Sequence, residues 1–407
     1  KTNTINCKYL GLDSSLYIHF WFTLHFSSQY RMANGTLQGL DFRRNTSVAS
    51  DLSGRYATDV FTEEAVRIIQ EHDTSAPLFL YLAHLACHAG NDGKLLEAPQ
   101  EIIDKFPHII EPNRKTYAAM IAKLDESVGE VVKALQEAEI LNNSIIVFMS
   151  DNGAPTIDVM YQNWGSNYPF RGTKSTQWEG GVRNPAIIWS PLFTPRVSQE
   201  LMHVTDWLPT LYSAAGGSQL DAQLDGVDQW PALLQSGDSP RSNVLLELDE
   251  VNQIYSFRQN NWKIVNGSLG GGALDGYLGD NGHTSDNPEY NVTAVLQSNV
   301  GTTLEELSGN NLLEDDVLKI REQVTVICPE QENVMPCNPV DTPCIFNLTS
   351  DPCETNNLAE AYPEVLEEMT QHISLFLRTL VNQTNQYNDL AADPRNFNNV
   401  WTPWVIE

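Results

Sequence analysis

The sequence predicts an α/β fold in two parts: a large sheet flanked by helices, then a smaller region of antiparallel strands closed by a helix. Three observations lead there. Two short apolar runs bracket a long amphipathic helix, the texture turns to short alternating strands beyond about Val244, and 407 residues leave room for one large domain and a smaller one.

The first thirty residues show no clear period. From Thr62, "TEEAVRIIQEH" reads as a helix with a threonine cap, acids in its first turn, and Ala65, Ile68 and Ile69 on one face. "LFLYLA", Leu78 to Ala83, is a continuous apolar run, as expected of a strand covered on both faces. Tyr117, Met120, Ile121, Leu124, Val128, Val131, Val132 and Leu135 recur at three and four residues, marking a long amphipathic helix that ends before Asn142 and Asn143. A second strand, Ile145 to Ser150, follows, and strand, helix, strand at this spacing predicts a βαβ unit with ligands beyond the carboxyl ends of its strands. "NPAIIWSP", Asn184 to Pro191, is a further short strand. "TDWLPTLYSAAGG" is a helix capped by Thr205 or Asp206 and stopped by glycines.

Beyond Val244, "QIYSFRQNNWKIVNG" alternates like antiparallel strands and hairpins. Residues 267–290 are a loop rich in glycine, Asp and Asn. A last helix presents Val365, Leu366, Met369, Ile373, Phe376, Leu377 and Leu380 on one face. The expected division is residues 1–29, 30–245 and 246–407.

The formal net charge of −28, from 52 acids against 24 bases, argues against nucleic acid as a partner, because phosphate contacts need basic patches. Of six cysteines, Cys328, Cys337, Cys344 and Cys353 sit close together among prolines with no C-x-x-C pair, which points to disulfides in an oxidising compartment rather than zinc; the pairing stays open. Sequons at Asn34, Asn45, Asn142, Asn266, Asn291, Asn347 and Asn382 agree with the secretory route. No segment is long and apolar enough to span a bilayer. "LYIHFWFTLHF", Leu16 to Phe26, is the nearest, and no small-residue cleavage site follows it. The chain opens on Lys1 rather than methionine, and its true N-terminus is expected to be absent.

Chemistry concentrates in three places. After the second strand, Asp151 and Asn152 offer hard oxygen ligands of the type calcium prefers, although an Asx turn before Gly153 uses the same residues. "PFRGTKSTQWEGGVRNP", Pro169 to Pro185, packs Arg171, Lys174, Glu179 and Arg183 around Gly172, Gly180 and Gly181. Glycines let a backbone approach a ligand and the cations could hold an anion; a surface loop of mixed charge is the plain alternative. His88, in "HLACHAG", is a candidate acid or base, with His84 close by; Cys87 is expected to be buried and inert.

Taken in order, "PLFLYLAHLACH", "NRKTYAAMIAKLDESVGEVVKAL", "VFMSDNGA", "FRGTKSTQWEGGVRNPAIIWSP" and "HVTDWLPTL" resemble the sulfatase family, closest to its arylsulfatase B (N-acetylgalactosamine-4-sulfatase) group. "DPCETNNLAEAYPEV" and "ADPRNFNNVWTPW" continue the likeness, which runs from about Tyr56 onward, more loosely from Leu40, and does not extend to Lys1–Gln29. The resemblance implies an alkaline-phosphatase-like large mixed sheet and a calcium site at its carboxyl edge, with Asp151 and Asn152 as metal ligands. It implies Lys174 on the sulfate, and His88 on the sulfate and aiding protonation of the leaving oxygen. It further implies calcium-dependent hydrolysis of sulfate esters of sugars or aryl alcohols in a lysosomal or secreted protein. A divalent ion and a lysine would stabilise charge on the sulfuryl oxygens and a proton donor the departing oxygen, against the repulsion of a strongly acidic protein.

The family's nucleophile is a formylglycine made from the cysteine of C-x-P-x-R, and this sequence contains no such motif. "CNPVD" at Cys337 places Asp341 where the arginine belongs. The family's paired N-terminal acids and its K-W-H-L-G segment are missing too. The expectation is therefore little or no hydrolysis by this chain, as a fragment of an enzyme or as a catalytically dead binder of sulfated glycans. A phosphoesterase of the same superfold is the other reading, against which stands the lack of an Asp-x-x-x-His array near Asp151.

Overall fold

The computed structural model describes residues 16–18, 29–32 and 37–403, apart from 91–93, 158–161, 219, 221–222, 278–286, 310–312, 329–333 and 382–388. Five short strands come first: β1 (Leu16–Ile18), β2 (Gln29–Met32), β3 (Leu37–Leu40), β4 (Phe42–Arg44) and β5 (Ser47–Val48). They form two small antiparallel sheets, β1–β4–β5 and β2–β3. The C-terminal segment returns to them. Leu40 N–H donates to Asn399 O at 2.8 Å, Trp401 N–H donates to Leu40 O at 3.0 Å, and the Arg43 guanidinium donates to Trp401 O.

Helix α1 (Ala57–Glu71) starts five residues before Thr62. Thr62 is not its cap, because Ala57, Thr58, Val60 and Phe61 are already buried in the preceding turn. The Thr62 hydroxyl instead bonds back to Thr58 O at 2.7 Å and reaches Ser127 Oγ at 2.6 Å. The short helix α2 (Gln100–Ile103) precedes α3 (Pro112–Glu137), the long amphipathic helix that the periodicity predicts. Pro112 sits at its first turn, where a missing N–H costs nothing, and Glu111 caps it by accepting from Arg114 N. Helices α1 and α3 pack together over Ile69, Val132 and Leu135.

The βαβ expectation fails in its pairing. Strand β6 (Ile146–Met149) pairs antiparallel with β7 (Ala186–Trp189), in register from Ile146↔Trp189 to Met149↔Ala186. Leu78–Ala83 joins no ladder among the described residues. Its burial alternates: Leu78, Leu80 and Leu82 pack inward, while Phe79 is 45% and Tyr81 56% exposed. An apolar run specifies neither the direction of its partner nor cover on both faces, so the sequence overcommitted here.

Beyond the short helix α4 (Glu179–Val182), α5 (Trp207–Ala214) follows a single 3-10 turn at Val204–Asp206. Asp206 stands at the N-cap of α5 but makes no side-chain cap bond there, and Thr205 is not the cap. His203 is the N-cap of that turn, and the Asp206 carboxylate reciprocates by accepting from His203 N at 2.9 Å. Helix α6 (Trp230–Gln235) packs against α5.

The C-terminal region is the antiparallel sheet the alternation predicts. Strands β8 (Asn243–Asp249), β9 (Ile254–Gln259), β10 (Trp262–Asn266) and β11 (Cys344–Asn347) stand in the order β11-β10-β9-β8. The connection from β10 to β11 carries α7 (Val292–Leu296), α8 (Asn299–Ser308) and α9 (Glu314–Val324). Helix α10 (Pro363–Leu377) covers one face, burying Met369 and Ile373 against Phe257, Ile264 and Ile345; Leu380 lies past its end. The clustered cysteines form two disulfides, Cys328–Cys353 and Cys337–Cys344.

Candidate functional site

The site lies where the end of β6 meets the glycine-rich loop. Strand β6 delivers Ser150, Asp151 and Asn152 into a turn fixed by local bonds. Ser150 Oγ donates to Asn152 O at 2.9 Å, Asn152 Nδ2 donates to Gly153 O at 2.9 Å, and Asn184 Nδ2 donates to Asp151 O at 2.8 Å. Gly153 N–H then donates to Gly181 O at 2.9 Å. A Cβ at Gly153 would lie 1.8 Å from Gly180 O, so the two segments meet backbone to backbone and only glycine fits. Gly172, at φ +85°, makes the turn that leads into Lys174.

Lys174 is placed by its own amide, which donates to Ala154 O at 3.2 Å, one step past the Asp151–Gly153 turn. Asn167 braces the same point, accepting from Ala154 N at 2.8 Å and donating to Ala154 O at 2.9 Å. The Lys174 ammonium extends to His88, donating to Nε2 at 3.0 Å. His88 Nδ1 lies 2.7 Å from Ala89 O. A carbonyl can only accept, so Nδ1 holds the proton and Nε2 presents its lone pair to Lys174. Burial lowers the pKa of Lys174, and the nearby Asp151 carboxylate opposes that shift. Lys174 and His88 are half-buried, Asn152 likewise, and Asp151 is exposed.

Of the sequence candidates, the structure thus joins Lys174 to His88 directly, and Asp151 to Lys174 through the electrostatic field without an ion pair. The other cations of the loop are turned away. Arg171 lies over the Trp178 ring at 3.7 Å and donates to the carbonyls of Asp275 and Glu354. Arg183 stands over Phe170 at 5.1 Å and 3.7 Å from Glu179. His84 is also turned inward, with Nε2 at 3.0 Å from Ser127 Oγ. Cys87 is not in a disulfide and is half-buried rather than fully buried as expected; burial pushes its thiol up to about 12, away from the reactive thiolate.

Calcium takes roughly six to eight oxygen ligands. Asp151 and Asn152 present two side chains, and among the described residues no three His, Cys, Asp or Glu side chains gather as a metal cluster. Asp151 and Asn152 do not by themselves make up a calcium site. Nor does "CNPVD" supply a nucleophile: Cys337 is bonded to Cys344.

The Sulfatase family model matches residues 6–218, just over half of the chain. The chain belongs to the sulfatase family. The match enters residues 1–29, which the quoted motifs leave outside the resemblance. The chain is 33% identical to mouse arylsulfatase J over 93% of its own length and 58% of that protein. It is 29% identical to pig N-acetylgalactosamine-6-sulfatase over 76% of its length and 60% of that protein, and 31% identical to human arylsulfatase A over 52% and 39%. The chain therefore spans less than two thirds of each of these relatives. Among solved structures it is similar to the one described as Ps i-CgsB, with a TM-score of 0.62 at 21% identity over 92% of this chain and 68% of that one. It is also similar to the putative sulfatase yidJ of Bacteroides fragilis, with a TM-score of 0.52 at 15% identity over 87% and 63%. These likenesses establish the alkaline-phosphatase-like fold, mixed in helix and sheet, with the antiparallel sheet in its C-terminal region.

The sequence missed the supports of the site. Asn167 gave no signal beyond an asparagine in a loop. Glu179 shows in the sequence only as a charge, and its buried partners Lys263 and Glu354 lie far along the chain.

Proposed function

We propose that this chain holds the anion-recognition part of a sulfate-ester hydrolase site of arylsulfatase B type. Lys174 would contact the sulfate group of a sugar or aryl sulfate, and His88 would stand beside the departing oxygen. The single observation behind this reading is the 3.0 Å contact between Lys174 Nζ and His88 Nε2, made by residues 86 positions apart. A half-buried ammonium with a weakened hold on its proton is suited to an anion, which would replace His88 as its partner. A proton placed on His88 Nε2 would then have a path to an alcohol or phenol oxygen.

Hydrolysis is not part of the proposal for this chain. It offers no C-x-P-x-R cysteine, so no nucleophile is assigned, and no step passes through a metal. Asp151 and Asn152 remain the proposed source of two hard oxygens should a cation bind with donors beyond the pair. The two disulfides favour an oxidising compartment, in keeping with a lysosomal or secreted protein. Without a nucleophile, a binder of sulfated glycans is the second reading, and it uses the same two side chains.

The test is binding and turnover side by side. By calorimetry, inorganic sulfate and a sulfated glycosaminoglycan should bind, and Lys174→Ala should weaken both by about tenfold or more. An aryl sulfate with added calcium should not turn over above background. Equal binding by the variant ends the anion-site reading. Turnover that Lys174→Ala abolishes ends the claim of an inactive chain.

A further inference from the structure

Behind the glycine-rich loop lies a buried ion cluster that the site chemistry does not use. Lys263, the second residue of β10, is 0% exposed. Its ammonium is 2.8 Å from Glu179 Oε1 and 2.8 Å from Glu354 Oε1. The other Glu354 oxygen accepts from the Glu179 backbone N–H at 2.7 Å. Glu354 directly follows Cys353, which the disulfide ties to Cys328. Three segments distant in sequence are thus pinned at one point. Other charges face it: Arg183 and Arg258 act on Glu179, while Arg171 and Tyr277 lie near Glu354. Buried ion pairs add little net stability over an apolar core, but losing one partner strands a charge, so such clusters fix geometry strictly.

The position they fix is that of the loop. From Glu179 the backbone enters Gly180 and Gly181. Gly180 N–H donates to Arg171 O at 2.7 Å, and Gly181 O accepts from Gly153. We propose that Lys263, Glu179 and Glu354 form a clasp through which the C-terminal sheet positions the Lys174 loop against the Asp151–Asn152 corner. Lys263, Glu179 and Glu354 are positioning residues, and the proposal rests on the reading of Lys174 as the anion contact.

The clasp has a built-in pH response. Burial pushes the Glu354 carboxyl up to about 7 despite the Lys263 ammonium. Burial acts the same way on Glu179 and is the largest single influence, but Lys263, Arg183 and Arg258 together outweigh it and hold the carboxyl below its usual range. With Glu354 protonated, Lys263 and Glu179 balance; with it ionised, a second carboxylate must be held away from water beside Glu179. A carboxyl raised in the fold contributes stability that is full below the unfolded range of about 4.3 and is lost as the pH rises through about 7. The clasp therefore tightens in acid.

The experiment combines hydrogen exchange, corrected for intrinsic rates, with inorganic sulfate binding on the full chain. Lys263→Met should raise exchange across 171–183 by about tenfold or more while 112–137 stays protected, and should weaken sulfate binding by a similar factor. In the wild type, protection of 171–183 should fall between about pH 5 and 8; Glu354→Gln, uncharged throughout, should flatten that profile. Wild-type exchange and affinity in Lys263→Met overturn the clasp. If that variant unfolds, exposing 112–137 as well, Glu354→Gln decides: an unchanged pH profile overturns the proposal. If the wild type binds no sulfate while the loop still loosens in Lys263→Met, the anion-site reading falls and the clasp stands.

Discussion

The C-terminal sheet and the β6–β7 pair draw on the same residue types and end with very different cover. In the first, Phe257, Ile264 and Ile345 are fully enclosed by α10 and neighbouring strands. In the second, Phe148 is 41% and Ile187 63% exposed, and the rings of Phe79 and Tyr81 in the preceding apolar run are exposed as well. A strand's apolar content does not decide its burial; a second layer does. The chemistry-bearing residues sit at the end of the less covered pair, and the better covered sheet holds them in place through Lys263.

The sharpest way to break this comparison is to cut each core. Phe257→Ala should cost about 3–5 kcal/mol, the usual range for deleting an enclosed ring, read from urea unfolding. Removing the Cys328–Cys353 bridge with paired serines comes next. Its 25-residue separation corresponds to about 3.5 kcal/mol of lost loop constraint, against about 2.4 for the 7-residue separation of Cys337–Cys344. Non-reducing thermal melts should rank the two in that order.

A third effect separates the regions by pH. Burial lowers His84 to about 4. A histidine depressed in the fold contributes stability that is present above its unfolded value of about 6.5 and is lost as the pH falls toward 4, up to about 3 kcal/mol. His84→Asn should flatten the acid limb of the melting curve. Glu354 in the C-terminal region runs the other way, weakening as pH rises, so Glu354→Gln should flatten the alkaline side instead. The smallest effect is at the uncovered face. Phe79→Thr or Ile187→Thr should shift unfolding by no more than about 0.5 kcal/mol; a cost near that of Phe257→Ala would show that this face is packed against something.

Local order was legible in the sequence. Helix α3, strands β6 and β7, the β9–β10 hairpin and the face of α10 follow from period and punctuation alone. The meeting of Lys174 with His88 was expected from the ordered family motifs, not from period or from any single residue. Pairing was not legible, because Leu78–Ala83 looks the same whether it joins a parallel sheet or lies half-covered. Arg171 and Lys174 were equal as cations on paper; Trp178 and the carbonyls of Asp275 and Glu354 claim the first and leave the second to His88. The partners of Glu179 lie 84 and 175 residues away, beyond any pattern a window can register.

The close approach of Gly153 and Gly180 bears on how this corner could be redesigned. Residues with charge or a proton to offer can be exchanged there with the frame intact, whereas a single added methyl strikes backbone at either glycine: Gly180 O from position 153, and the Arg171 and Gly172 carbonyls from position 180. A saturation screen should find its most intolerant positions at the two residues with no chemistry of their own.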